Sequence, residues 1–483
     1  MAAAGGFFKA DSGLTDPESW GYSVRYDVLV IGAGPAGWSA ALQAAKLGLE
    51  VAVVEKEIML GGSCVQTGTL PSKTLRHTIL QLVNMRRAAH VGVHSTHLRP
   101  LAIHDLLSPK NAVIENHEQT IRSFLERNKV KLLPGSASFI SAHEVRVATR
   151  LGEDVVEAEH IVIATGSRPR RPDNLPFDDR VICDSDSILE LDLIPRSLAV
   201  LGGGVVGCEY ACMFAALGVK VTLVDRRAHL LRFLDRDVLE ALYHCMRRMG
   251  MRLMLGEEIK QVSVSRGQRI DQAVVELDSS RCARADRLLV AAGRESNVAA
   301  LDLRKIGIAT DATGLIKVDE HYRTPLENVY AVGDVIGFPA LASTSMHQGR
   351  LAVLHLARRD PPPTRDLPIA IYTIPEISMV GLTEDQCREQ GLPYEVGVSR
   401  YGETPRGQIL GDTEGMLKLI FRRDDRSIVG VHLIGQNSSE LVHVGMLALH
   451  LGATVDQFLA GVFNYPTLGE AYRVAALDGI NRL

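Results

Sequence analysis

Tyr26 to Ile31 (Y-D-V-L-V-I) is a short run of apolar, β-branched residues, the pattern of a parallel strand buried on both faces. The run stops at Gly32-Ala33-Gly34-Pro35-Ala36-Gly37. An alanine-rich stretch, Ser39 to Leu47, then predicts a helix, and Gly48 ends it. Leu49 to Val54 is a second β-branched run, closed by Glu55. Strand, glycine turn, helix and strand make one βαβ unit. The pattern returns later in the chain. Ser197 to Leu201 predicts a strand, Gly202-Gly203-Gly204-Val205-Val206-Gly207 a turn, Cys208 to Leu217 a helix stopped by Gly218, and Val219 to Val224 a strand ending at Asp225. The acid follows the first glycine by the same number of positions in both units.

Further on, the patterning changes. Arg359-Asp360-Pro361-Pro362-Pro363 predicts a linker. Beyond it, apolar alternation over Met416 to Phe421 and Ile428 to Ile434 predicts an antiparallel sheet, and Glu440 to Leu451 an amphipathic helix. The fold class expected is therefore α/β, with two Rossmann-like dinucleotide-binding domains followed by a C-terminal α+β domain.

Composition narrows the function without choosing it. The chain has 483 residues, 46% hydrophobic and 23% charged, an ordinary balance for a globular protein of more than one domain. A net charge of −4 gives no footprint for nucleic acid or an anionic membrane surface. No apolar run approaches the roughly 20 residues needed to cross a bilayer. Residues 1–24 lack a basic segment followed by an apolar core, so they are expected to be an extension and not a secretory signal. The seven cysteines are Cys64, Cys183, Cys208, Cys212, Cys245, Cys282 and Cys387; an odd number without C-x-x-C suits reduced thiols in a cytoplasm. Cys208 and Cys212 could share a helix face, but no further ligand completes a set, so no metal is expected.

The two glycine turns carry the first chemistry. In G-x-G-x-x-G the first glycine makes the turn, the second lets backbone approach a pyrophosphate, and the third lets helix pack on strand. The helix N-terminus then offers free N–H groups and a positive dipole end to the phosphates. Gly32, Gly34 and Gly37 with Glu55 form one such set, and Gly202, Gly204 and Gly207 with Asp225 the other. The closing acid accepts hydrogen bonds from ribose hydroxyls. After Asp225 come Arg226, Arg227 and then Arg232. An acid there favours a free 2′-hydroxyl, as in NAD; arginines favour a 2′-phosphate, as in NADP. Arg226 and Arg232 are the candidates for the phosphate, whereas Arg227 is equally readable as part of a solvated charge run.

Several stretches together resemble the two-dinucleotide-binding flavoproteins, the family of lipoamide dehydrogenase, glutathione reductase and mercuric reductase. They are G-G-S-C-V-Q-T-G-T-L-P-S-K (Gly61 to Lys73), A-T-G-S-R-P (Ala164 to Pro169), the second glycine turn and Y-A-V-G-D-V (Tyr330 to Val335). The resemblance implies an FAD-binding domain over 25–168 and 293–360, an NAD(P)-binding domain over 169–292, and a C-terminal dimerisation domain over 361–483. It implies flavin contacts from Gly62, Cys64, Thr69, Lys73, Thr165, Gly166 and Asp334, and places Gly293 at the nucleotide site. Lys73 matches the family's lysine near flavin N5, and Glu209 its ion-pair partner.

Two departures bear on the reaction. Disulfide reductases of the family carry two cysteines in the first loop; here Cys64 is followed by Thr69 where the second would stand. They also carry His-Pro-Thr…Glu near the C-terminus; here the segment is F-N-Y-P-T-L-G-E, with Tyr465 at the histidine position and Glu470 retained. Both the thiol relay and its proton carrier are missing. The segments G-T-x-P-S-K-x-L-R-H, I-Y-T-I-P-E-I-S and the last twenty or so residues are similar to the FAD-containing pyridine nucleotide transhydrogenase branch. That similarity implies an Si-specific, ping-pong hydride transfer, NADPH + NAD⁺ ⇌ NADP⁺ + NADH, by a homodimer or larger homo-oligomer. Two rivals stand beside it. An NAD(P)H:quinone or oxygen oxidoreductase needs the same flavin and the same missing disulfide. A non-catalytic nucleotide sensor would have lost a glycine turn or Lys73, and all are intact.

Overall fold

The computed structural model describes residues 24–90, 103–267, 270–359 and 366–483. The extension expected over residues 1–24 lies, save Val24, outside the described residues, as does the linker at Arg359–Pro363 save Arg359.

The first βαβ unit sits at the centre of a mixed sheet. Strand Val24–Ile31 pairs in parallel with Val51–Glu55 on one side and Glu153–Ile163 on the other. Lys131–Pro134 pairs in parallel beyond Val51–Glu55, and at the opposite edge Glu144–Ala148 and then Ser136–Phe139 follow Glu153–Ile163 antiparallel. Late in the chain, Val329–Ala331 returns to pair in parallel with Glu153–Ile163. Val28, Leu29 and Val30 are wholly buried, as the continuous apolar run requires. Each such side chain contributes about 1.5–3 kcal/mol relative to exposure. The helix is Pro35–Lys46, beginning four residues before the alanine-rich stretch. Proline fits the first helical position because it has no N–H to leave unsatisfied.

The second unit heads a five-stranded parallel sheet in the order Arg252–Leu255, Lys220–Asp225, Ser197–Leu201, Arg287–Val290, Ile182–Cys183. Its helix, Val205–Ala216, also starts earlier than the apolar pattern implies. Every residue from Gly207 to Ala215 in it is buried. A helix apolar on all sides needs cover on all sides. Its own sheet supplies one side; Leu75 and Ile79 of the long helix Thr69–His90 join the same core from the other. That packing carries the first-loop segment onto the second unit. The two units are also joined by the antiparallel pair Ser167–Pro169 and Arg294–Ser296.

The C-terminal region is an antiparallel sheet in the order Ile369–Ile371, Ile377–Gly381, Ile428–Ile434, Met416–Arg422, Tyr394–Arg400. Helices Ser438–His450 and Glu470–Ile480 share its core, with Tyr472 donating to the Leu441 carbonyl at 2.7 Å.

One buried cation ties this sheet to the second unit. Lys418, on strand Met416–Arg422, is wholly buried, and its ammonium donates to Asp235 Oδ1 and Asp237 Oδ2, both at 2.7 Å, and to Glu384. Asp235 caps the helix Arg236–Arg248 of the second unit. Those three acids have ligand-like spacing, and the lysine occupies their centre. Removing one partner from such a cluster strands buried charge of the other sign, at about 3–5 kcal/mol. Lys418→Met should therefore lower stability by that order at neutral pH, read as a fall in the thermal unfolding midpoint. An unchanged midpoint would show that the cluster does not hold the two regions together.

Candidate functional site

The two glycine turns have the same local geometry. Gly32 and Gly202 both take φ of +104°, a conformation that side chains disfavour, and an added Cβ would lie 2.5 Å from the Ala164 carbonyl or 2.3 Å from that of Ala291. The third glycines, Gly37 and Gly207, would each place a Cβ 1.8 Å from the carbonyl of the first. Both following helices begin at a glycine, Gly34 or Gly204, with no side-chain cap on their first-turn N–H groups. Helix Arg236–Arg248, by contrast, is closed by the Asp235 carboxylate. Two uncapped, glycine-flanked N-termini are ready-made anion sites.

A cavity of about 880 Å³ opens at the first turn. It is lined by Gly32, Gly34, Glu55, Gly62, Cys64, Thr69, Lys73, Thr165, Gly166 and Asp334. Glu209 and Val205 of the second unit and Tyr372 and His443 of the C-terminal region complete its wall. Volumes of roughly 300–1,000 Å³ suit bound cofactors. Gly34 and Gly62 face each other closely, since a Cβ on Gly62 would lie 3.0 Å from the Gly34 Cα. Gly166 has nothing within 4 Å of the space a Cβ would take. Thr165 Oγ1 is buried without a hydrogen-bond partner among the described residues, an orphan that a ligand polar atom would satisfy. Glu55 accepts from Ala33 N at 2.7 Å through one oxygen and from Glu57 N at 3.0 Å through the other, with no side-chain cation on it among the described residues. These residues fit a dinucleotide: backbone for phosphates, an acid for ribose, a long cavity beyond.

The far end of the cavity is polar and tightly held. Lys73 Nζ donates to Glu209 Oε2 at 2.7 Å, a pair that joins helix Thr69–His90 to helix Val205–Ala216. The other Glu209 oxygen accepts from Tyr372 N at 2.8 Å, and the ammonium lies 5.0 Å from the centre of the Tyr372 ring. Glu209 is 4% exposed, so both oxygens need these partners. Arg76, one turn beyond Lys73, pairs with Glu376 at 3.1 Å and donates to the Thr373 carbonyl at 3.0 Å.

Cys64 has no cysteine partner. Thr69 stands where the second thiol would, and both residues line the cavity. Burial pushes the Cys64 thiol up, the neighbouring Thr69 hydroxyl pulling the other way. A raised thiol is a poor nucleophile at neutral pH. All seven cysteines are free.

Asp334 receives a hydrogen bond from Ser167 Oγ at 2.7 Å, and Arg294 donates to that same hydroxyl at 2.7 Å. Ser167 and Arg294 were not singled out in the sequence. Ser167 lies within a motif that was, but only pairing of Ser167–Pro169 with Arg294–Ser296 brings the arginine to it. Tyr372 was likewise only one letter of a longer resemblance.

The remaining candidates lie apart from this cavity. Gly202, Gly204, Gly207 and Asp225 form the second turn; Arg226 and Arg232 are exposed beside it. Gly293 stands where the chain leaves the second unit, its carbonyl accepting from Arg170 N at 3.0 Å. Tyr465 is 71% exposed and Glu470 Oε2 is buried without a partner among the described residues. Neither lines the cavity of its own chain. The sequence leaves Arg227 even between a ligand and a solvated charge run, and its contacts decide. It is no solvated charge run: its guanidinium forks onto Asp225, Nε to Oδ1 at 2.9 Å and a terminal nitrogen to Oδ2 at 2.7 Å. Burial would raise Asp225, but Arg227 and two backbone N–H groups outweigh it and hold the carboxyl below its usual range.

Residues 26–349 match the family described as pyridine nucleotide-disulphide oxidoreductase, and residues 367–476 match the dimerisation domain of the same family. A soluble pyridine nucleotide transhydrogenase of Mycobacterium bovis is 44% identical over 462 residues, 95% of this chain and 98% of the relative. One from Colwellia psychrerythraea is 41% identical over 467 residues, 95% and 99% of the two chains. Among solved structures, LpdA from Mycobacterium tuberculosis superposes with a TM-score of 0.86 at 25% identity, covering 94% of this chain and 99% of that one. The HOCl-induced flavoprotein disulfide reductase RclA from Escherichia coli gives 0.82 at 28% identity, with the same coverage. Paired glycine turns, the shared cavity and matches over nearly the whole length make one conclusion: the chain belongs to the pyridine nucleotide-disulphide oxidoreductase family.

Proposed function

We propose that this protein is an FAD-dependent NAD(P)⁺ transhydrogenase of the Si-specific type, catalysing NADPH + NAD⁺ ⇌ NADP⁺ + NADH. Relatives at 41–44% identity carry that name over nearly their whole length. The observation that carries the reading is Thr69 in the cavity wall with a free Cys64, at the place where a disulfide reductase needs a second thiol. FAD, when bound, accepts hydride from one nucleotide and returns it to the other, which is chemistry no side chain supplies.

This chain's residues bind, orient and balance charge. On this reading residues 25–168 and 293–360 form the FAD-binding domain, 169–292 the NAD(P)-binding domain, and 361–483 the dimerisation domain. Gly32, Gly34, Gly37 and the first-turn N–H groups hold the pyrophosphate, Glu55 the adenosine ribose, and Asp334 the ribityl side. Gly62, Cys64, Thr69, Thr165 and Gly166 shape the remaining wall. Lys73 holds a positive charge at the redox end of the cavity, where negative charge develops on reduction, and Glu209 fixes its position. Gly202, Gly204, Gly207 and Gly293 seat the nucleotide, and the exposed Arg226 and Arg232 attract a 2′-phosphate. Free thiols throughout fit a reducing cytoplasm.

Two copies pair through the C-terminal region, on this proposal, and Tyr465 and Glu470 approach the partner's flavin site. Val444, Leu447 and Leu451 lie exposed along one helix and its end, and Val462, in the same segment as Tyr465, is wholly exposed. Apolar surface of this kind favours association.

Three outcomes follow. Gly34→Val projects a side chain into the gap that separates Gly34 from Gly62, so the purified variant should lack the flavin absorbance of the wild type; normal flavin content would place the cofactor elsewhere. Wild-type enzyme should reduce an NAD⁺ analogue with NADPH and leave lipoamide and glutathione disulfide untouched, and Cys64→Ala should retain most of that turnover. Robust disulfide reduction would sink the assignment. Light scattering at assay concentration should show a dimer or larger assembly, and a fully active monomer would contradict the pairing.

A further inference from the structure

The two units treat their closing acids alike in one respect and differently in another. Glu55 and Asp225 each accept from the residue after the first glycine, Ala33 N at 2.7 Å and Gly203 N at 2.5 Å. Each also accepts from the backbone two positions on, Glu57 N at 3.0 Å and Arg227 N at 2.7 Å. That is where the likeness ends. The residue two positions on is an acid in the first unit and an arginine in the second. The Glu57 side chain has no N–H to add to Glu55, whereas the Arg227 fork adds two more to Asp225.

A carboxylate offers about four lone-pair sites. Asp225 receives four N–H groups, two on each oxygen, and is 5% exposed. No lone pair is left for a ribose hydroxyl. The pair is also electrically neutral, so a 2′-phosphate of about −1.5 to −2 charge meets no net repulsion from it. Arg226 and Arg232 beside it are exposed and form no ion pair among the described residues. The Arg227 side chain is 39% exposed, the Asp225 side chain 3%.

We propose that Arg227 is the specificity-determining residue of the nucleotide site: by occupying Asp225 it withdraws the acid from ribose recognition and admits the 2′-phosphorylated nucleotide. This deepens the transhydrogenase reading and rests on it, because a site serving both nucleotides in turn must suppress the acid that would otherwise choose NAD. The sign is opposite to that expected from the sequence, where Asp225 itself receives the 2′-hydroxyl.

The test is equilibrium binding of NAD⁺ and NADP⁺ to the flavin-loaded protein by calorimetry, which needs no turnover. Arg227→Ala uncovers Asp225: NADP⁺ should weaken by about ten-fold or more and NAD⁺ should tighten several-fold, a decade being about 1.4 kcal/mol. Asp225→Asn removes the charge but sets an amide N–H₂ where one accepting oxygen stood, so its flavin absorbance and thermal midpoint are read on the same sample to show that it folds. It should leave NAD⁺ within about two-fold of the wild type, since the acid is not in use, and leave NADP⁺ unchanged or tighter. In the double variant the gain in NAD⁺ should vanish, because the group that provides it is gone. The proposal is overturned if Asp225→Asn weakens NAD⁺ ten-fold, or if Arg227→Ala weakens both nucleotides equally. A wild type that binds both nucleotides yet passes no hydride between them removes the transhydrogenase reading and leaves this binding test standing.

Discussion

Everything in the site hangs on the pair between Lys73 and Glu209. The lysine comes from the first-loop helix, the glutamate from the second nucleotide unit, and the second glutamate oxygen is tied to Tyr372 of the C-terminal region. Three parts of the chain thus converge on one buried carboxylate. An ion buried this far costs several kcal/mol to desolvate, and only good geometry on both oxygens offsets it. The pair therefore fixes the relative placement of the units and sets one cation in the cavity wall. The buried Lys418 cluster does related work at a distance, holding the second unit against the C-terminal sheet.

The two βαβ units show how one backbone design is specialised by few residues. Their glycine turns agree in φ and in the contacts that exclude a Cβ, because those are demands of the turn and not of the ligand. They differ where ligands differ. The first acid is a glutamate without a cation on it among the described residues; the second is a shorter aspartate locked under a guanidinium. A resident cofactor gains from an acid that is always available. A site that must exchange two nucleotides gains from one whose charge is cancelled.

Much of this was legible in the sequence. Continuous apolar runs gave both central strands, and glycine spacing with a closing acid gave both turns, since each feature is enforced by local sterics. Helix starts were less legible: Pro35 and Val205 precede the patterned stretches because the first turn is set by the glycine cap and not by periodicity. Contacts between distant segments were least legible. Nothing local marks Arg294 as the donor to Ser167, or Lys418 as the centre of three acids. Arg227 is the instructive case. Its charge was visible, but its two hydrogen bonds to Asp225 depend on a side-chain geometry that composition does not contain.

The central claim is that electrons pass between nucleotides through the flavin alone, with no dithiol as a second store. Anaerobic titration of the flavin-loaded protein with NADPH tests it most directly. A flavin acting alone holds two electrons, so about one equivalent of NADPH per flavin should bleach the absorbance to its limit, and added NAD⁺ should restore it. Uptake of about two equivalents, with a charge-transfer band between a thiolate and the oxidised flavin at the halfway point, would reveal a hidden redox disulfide and contradict the account.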